Sequence, residues 1–169
     1  MSHNWPKHDY TVRDIKTFRG MEGEGFNVTL CRDGRKVAFV IDDATGGDVH
    51  IQWGDAHRGG AEEKRLLEFL KTLPKERLED TEYDVTPDIF VAALVDEAQT
   101  EKRLRRLFRK ETLFRLKSDR TDDDKWRVLK APFSPDVKAH LVKTYGDNLA
   151  HVLNEEYPHL NPRSKQQSS

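Results

Sequence analysis

TPDIFVAALVDEAQTEKRLRRLFRK, residues 86–110, is the stretch on which the reading of this chain turns. Thr86 suits an N-cap, Pro87 suits the first helical position because its missing N–H is not needed there, and Asp88 complements the positive end of the helix dipole. The spacing therefore predicts one long helix whose halves differ. In the first half Ile89, Phe90, Val91, Ala92, Ala93, Leu94, Val95 and Ala98 cover nearly the whole circumference, which implies burial on several sides. In the second half only Leu104, Leu107 and Phe108 form an apolar stripe. Lys102, Arg105, Arg106 and Arg109 fall opposite it at helical spacing, with Arg103 and Lys110 at the margins.

Upstream, residues 10–53 read as an antiparallel meander. Residues 10–18 form a first strand; GFNVTLCRD places Phe26, Val28 and Leu30 on one face, and KVAFVIDD places Val37, Phe39 and Ile41 on one side. Asp33-Gly34 is a hairpin signal, Gly46-Gly47 permits positive φ in the next connection, and VHIQW supplies a fourth strand. AEEKRLLEFLKTL follows as a short helix with Leu66, Leu67, Phe69, Leu70 and Leu73 on its apolar side, ending at Pro74. PKERLEDTEYDV is charged and aperiodic, and reads as an exposed connection.

Downstream, TLFRLKS and KWRVLKA read as two strands joined by a loop carrying Asp122, Asp123 and Asp124. Ser134-Pro135-Asp136 repeats the cap, proline and acid pattern, so SPDVKAHLVKTY is expected to be a helix stopped by Gly146. DNLAHVLNEE reads as a last helix before a polar, proline-broken tail. The expected architecture is an α+β domain: an antiparallel β-meander packed on a long helix, then a β-hairpin and C-terminal helices. Its expected bounds are an N-terminal extension at 1–9 and a single domain at 10–157. Within that domain 10–58 is the meander, 59–111 the helical segment and 112–157 the hairpin with the C-terminal helices, and a disordered tail follows at 158–169.

A chain of 169 residues is long enough for a substantial core, although a mean hydropathy of -0.83 marks it as strongly charged. No apolar run approaches a membrane span, and MSHNWPKHDY lacks the layout of a secretory signal, so the expected location is cytoplasmic, the cytosol of the cell that makes it. Cys31 is alone, which excludes an internal disulfide or a cysteine metal cluster. The net charge of -1 hides an asymmetry. Residues 102–130 hold twelve Lys/Arg against five Asp/Glu, a local +7, leaving seventeen against twenty-five elsewhere, or -8. Such separation orients encounters with charged partners.

Two stretches carry a resemblance: FNVTLCRDGRKVAFVIDDATGG near the start, and TLFRL with WRVLKAPFSPDVKAHLVKTYGDNLAHVLNE near the end. Over most of residues 12–155 the chain resembles a group of small uncharacterised proteins found in phages, prophages and plasmids. Their pattern opens F-N-x-x-L-x-R-D-G-K-x-V-A-x-V-x-D-D-x-x-G-G and ends P-F-[ST]-P…L-N. The resemblance implies a mobile-element setting, in which small accessory proteins act by binding host or competing machinery.

Enzyme signatures are sparse. Asp42, Asp43 and Asp48 crowd one hairpin connection and suit a hard cation, but their spacing departs from an EF-hand; turn chemistry is the competing reading, and no metal site or cofactor is assigned. His50, beside that turn, is the one histidine placed to act as a base or ligand; the competing reading is an exposed strand residue. Neither a nucleophile elbow nor a phosphate-binding loop is present, and Gly20, Gly23 and Gly25 in RGMEGEGF sit among acids that would repel phosphate, which favours a flexible turn or bulge. Trp126 and Trp53 could stack on bases, with core packing as the default.

The candidate binding residues are Lys102, Arg105, Arg106, Arg109, Arg115, Lys117, Arg127 and Lys130. Three readings of that basic surface stay open: a solvated face whose charges pair with nearby acids, a nucleic-acid site, or a site for an acidic protein surface. The leading functional expectation is a non-enzymatic phage or mobile-element accessory protein that binds and inhibits a host macromolecular machine, such as a CRISPR or restriction system. The alternatives are direct nucleic-acid binding through residues 102–130, and an enzyme using His50 with nearby carboxylates.

Overall fold

A computed structural model describes residues 3–120 and 124–163. Asp122 and Asp123 of the acidic loop, and residues 164–169 of the expected tail, lie outside the described residues. The fold is α+β, and the chain divides into two compact units, Met1–Ala98 and Gln99–Ser169.

The first unit is built on a four-stranded antiparallel sheet in the order β1-β2-β3-β4, formed by Tyr10–Arg19, Glu24–Arg32, Arg35–Asp42 and His50–Trp53. Asp33 and Gly34 both have positive φ, as a tight β2–β3 hairpin requires. Phe26, Val28 and Leu30 face the core as expected. On β3 the expected face of Val37, Phe39 and Ile41 is corrected: Ala38 and Val40 are fully buried, while Phe39 and Ile41 are only half-buried. A bulge is the cause. Leu30 pairs with Ala38 but Cys31 pairs with Lys36, so Val37 is an extra residue across which the inward phase reverses.

Helix α1 (Ala61–Leu70) buries Leu66 and Leu70, and Leu73 follows them into the core, but Leu67 stays exposed. The stretch expected to be an aperiodic connection contains a small hairpin, β5 (Glu76–Leu78) with β6 (Thr81–Tyr83). Its strands are three residues long and its turn uses Glu79 at φ 54 without a glycine, so neither period nor turn composition announces it. Trp5, within the expected N-terminal extension, tilts against Phe90 and donates its indole N–H to Glu76 (3.0 Å).

Helix α2 (Pro87–Phe108) begins as expected, with the Phe90 N–H bonded to the Thr86 carbonyl (2.9 Å). Its first half is not buried all round: Phe90, Val91, Leu94 and Val95 enter the sheet core, whereas Ala92 is exposed. One sheet contacts one side of a helix, and small alanines fill the uncovered side without penalty. The division between units falls inside this helix, after Ala98.

The second unit holds a three-stranded sheet in the order β8-β7-β9, made by Arg127–Leu129, Thr112–Leu116 and Leu149–Val152. Helix α3 (Pro135–Tyr145) starts as expected, Ser134 Oγ accepting the Val137 N–H at 3.2 Å. The expected last helix is corrected: Leu149–Val152 is strand β9 and only Leu153–Glu156 is helical (α4). β7 is the central strand and buries four of its five residues, so its second edge is closed by β9 rather than left open. Leu104, Phe108, Leu113, Leu153 and Leu160 form one cluster of this unit, and Phe114, Leu116, Leu141 and Val152 another. Leu160 lies in the stretch expected to be tail, yet it is 1% exposed in a 3-10 turn over Pro158–Leu160.

Candidate binding surface

In its second half α2 is amphipathic. Leu104 and Phe108 are buried, and Lys102, Arg103, Arg105, Arg106, Arg109 and Lys110 are all exposed. At 3.6 residues per turn Lys102, Arg103, Arg105 and Arg106 occupy an arc of about 160° opposite the apolar stripe, and Arg109 and Lys110 follow in the turn after the helix ends at Phe108. Between their side chains lies a groove of about 540 Å³ lined by Gln99, Lys102, Arg103, Arg105, Arg106 and Arg109. None of the six cations forms an ion pair among the described residues. Glu101, the one acid within residues 99–110, is turned towards His159 (3.4 Å).

The other expected members behave differently. Arg127 is held by Asp119 through three contacts of 2.7 to 3.0 Å, and Lys130 meets Glu111 at 2.5 Å. Asp119 is pulled down to about 2 by the Arg127 hydrogen bonds and by the Leu116 N–H it accepts (2.9 Å). The Arg115 guanidinium lies 4.4 Å over the Trp126 ring, and its Nε donates to the Lys125 carbonyl (3.3 Å). Trp126 is half-buried against the Leu104 and Phe108 cluster, and Trp53 is half-buried against the first unit's core. Lys117 is exposed at the end of β7.

Seven of the eight expected residues thus separate into two groups, and Lys117 stands apart, exposed beyond the end of β7. Lys102, Arg105 and Arg106 share one helix face with Arg103, and Arg109 and Lys110 extend it in the turn that follows. Arg115, Arg127 and Lys130 are engaged with neighbours on the hairpin. Pairing with acids accounts for Arg127 and Lys130 but not for the helix face. Like charges at i,i+3 and i,i+4 on a helix each cost about 0.2–0.5 kcal/mol, and Arg106 has two such neighbours within α2, Lys102 and Arg103. The negative end of the helix dipole offsets part of that cost for Arg105 and Arg106, which sit in the last turn.

The acidic hairpin connection is occupied by its own backbone. Asp42 accepts the Ala44 N–H (2.9 Å), and Asp43 accepts the Thr45 N–H (3.2 Å) and hydroxyl (2.7 Å), which hold its carboxyl below the usual range. The His50 ring is exposed and has no hydrogen-bond partner among the described residues. Among the described residues no three His, Cys, Asp or Glu side chains are grouped as a metal site requires. RGMEGEGF forms a turn as expected, closed by the Gly20 N–H on the Gly23 carbonyl (2.8 Å) with Gly23 at φ 144, and its other glycines serve close packing: a Cβ on Gly25 would lie 2.4 Å from the Asp42 carbonyl oxygen, and one on Gly20 2.4 Å from the Ala44 Cβ. Cys31 is buried on β2. No helix of the described residues is long and apolar enough to cross a membrane.

No family model, curated protein or solved structure matches the chain.

Proposed function

We propose that this protein acts by binding nucleic acid, with the cationic face of α2 lying along the phosphate backbone. The observation that carries the reading is the set of six exposed cations on the C-terminal end of α2 and the turn that follows it, with no ion-pair partner among the described residues. Four of them are arginines, whose planar fork matches phosphate oxygens two at a time. Contacts to the phosphate backbone carry no sequence information, so binding of this kind is tolerant of sequence. Changing Arg105, Arg106 and Arg109 to Glu is expected to abolish the low-salt mobility shift of a labelled 20-base-pair duplex; a shift that survives the triple change excludes this surface.

The resemblance to phage and plasmid accessory proteins supports a second reading, in which the same face occludes a host defence complex. A pull-down from host lysate through the wild-type chain, repeated with the triple variant, tests it. Nuclease-resistant capture of a stoichiometric protein complex, lost in the variant, favours this reading over the first.

A further inference from the structure

We propose that the open edge of β4 is a docking site for an extended, basic peptide segment, which adds to the sheet as a fifth strand. β4 ends the order β1-β2-β3-β4, so one of its sides has no strand partner. Gly54 N–H donates to the Val37 carbonyl (2.9 Å), and the register pairs Gln52 with Phe39 and His50 with Ile41. Antiparallel alternation then directs the backbone N–H and C=O groups of Ile51 and Trp53 away from β3. No described group bonds to them. Apart from its shortness the strand carries little of the usual edge protection: His50–Trp53 contains no proline, no lysine and no bulge.

The ground beside that edge states the chemistry of the occupant. A cavity of about 430 Å³ is lined by Val49, Ile51, Trp53, Leu67 and Pro87, with Asp48, Glu63 and Asp88 also on its wall and no basic residue. None of the three acids has an ion pair among the described residues, and Leu67 is 41% exposed there. A strand added about 4.8 Å from β4 points alternate side chains to the helix-bearing face of the sheet. Lysine or arginine at those positions lays an aliphatic stem on Leu67, Val49 and Pro87 and carries its charge to the acidic wall. Backbone bonds supply affinity and the acids supply selectivity, as in other strand-addition modes.

The test titrates the 15N-labelled full chain with an eight-residue alternating Lys-Thr peptide and follows the amides of residues 49–53. Two further forms of the peptide are N-methylated at every second residue, one in each phase. Shifts centred on Ile51 and Trp53, with one methylated phase at least tenfold weaker than the other, are expected, together with no binding of the alternating Glu-Thr peptide. Ile51→Pro, which removes an outward N–H and leaves the ladder to β3 intact, and the exposed pair Asp48→Lys with Glu63→Lys are each expected to weaken binding at least tenfold. Absence of shifts at residues 49–53, or equal affinity of the two methylated phases, overturns the proposal. A concentration-dependent dimer abolished by Ile51→Pro overturns it in favour of a second copy of this chain at the edge.

Discussion

Asn154 is completely buried, and its side chain does the work of a missing backbone partner: Oδ1 accepts the Leu113 N–H (2.9 Å), while Nδ2 donates to the Glu111 carbonyl (3.2 Å) and to Asn161 (3.1 Å). Asn154→Ala leaves a buried N–H and a carbonyl unsatisfied, a penalty of about 1–3 kcal/mol for each group left without water. Urea unfolding of the second unit is expected to show a midpoint lowered accordingly with unchanged slope. Asp119 supplies a pH signature. Its folded pKa of about 2 lies below the unfolded value of about 3.9, so the unfolded chain binds the proton more readily in between. Stability is therefore complete above about pH 4 and is lost as pH falls through about 2. Asp119→Asn is expected to be less stable at pH 5 and flatter between pH 4 and 2, which thermal melts across that range would check. In the first unit, the Arg32 hydrogen bonds at 2.8 and 2.9 Å hold the Glu62 carboxyl down and steepen the acid limb in the same sense.

At the scale of elements, α2 shows how far a periodic pattern carries. Thr86, Pro87 and Asp88 mark its start, and Leu104 and Phe108 mark its inward stripe, because caps and apolar spacing are local properties. Local spacing cannot say how many sides a neighbour covers, so Ala92 looks buried in the string and is exposed in the fold. The basic face makes an element-scale prediction that separates binding from structure. Arg106→Glu turns the repulsive helical pairs with Lys102 and Arg103 into attractive ones while the helix dipole opposes a carboxylate in the last turn, so in low salt the variant is expected to keep wild-type stability to within about 1 kcal/mol while binding duplex more weakly. Calorimetry and anisotropy on the same preparation read the two effects. Equal losses of stability and binding would make Arg106 a structural residue.

For the molecule as a whole, charge is concentrated where the structure leaves it unneutralised. If the six helix cations meet six phosphates, log K for duplex DNA falls with log salt at a slope of about -5, close to a thousandfold between 50 and 200 mM. Reversing Arg127 and Lys130 is expected to change that slope little, since Asp119 and Glu111 already hold them. A slope halved by reversing the hairpin pair would move the site off the helix.

The α+β class, the meander, the cap of α3 and the cationic helix face follow from the order of residues alone, since each rests on a period, a cap or a turn within a few positions. Pairing decided the rest. The bulge at Val37 inverted the inward phase of β3, the open edge of β7 drew Leu149–Val152 out of a helical pattern into a strand, and distant acids captured Arg127 and Lys130 while leaving the helix cations without one. Hydrogen-bond partners and counter-charges far apart in sequence compete for the same groups, and only the folded chain settles which of them meet.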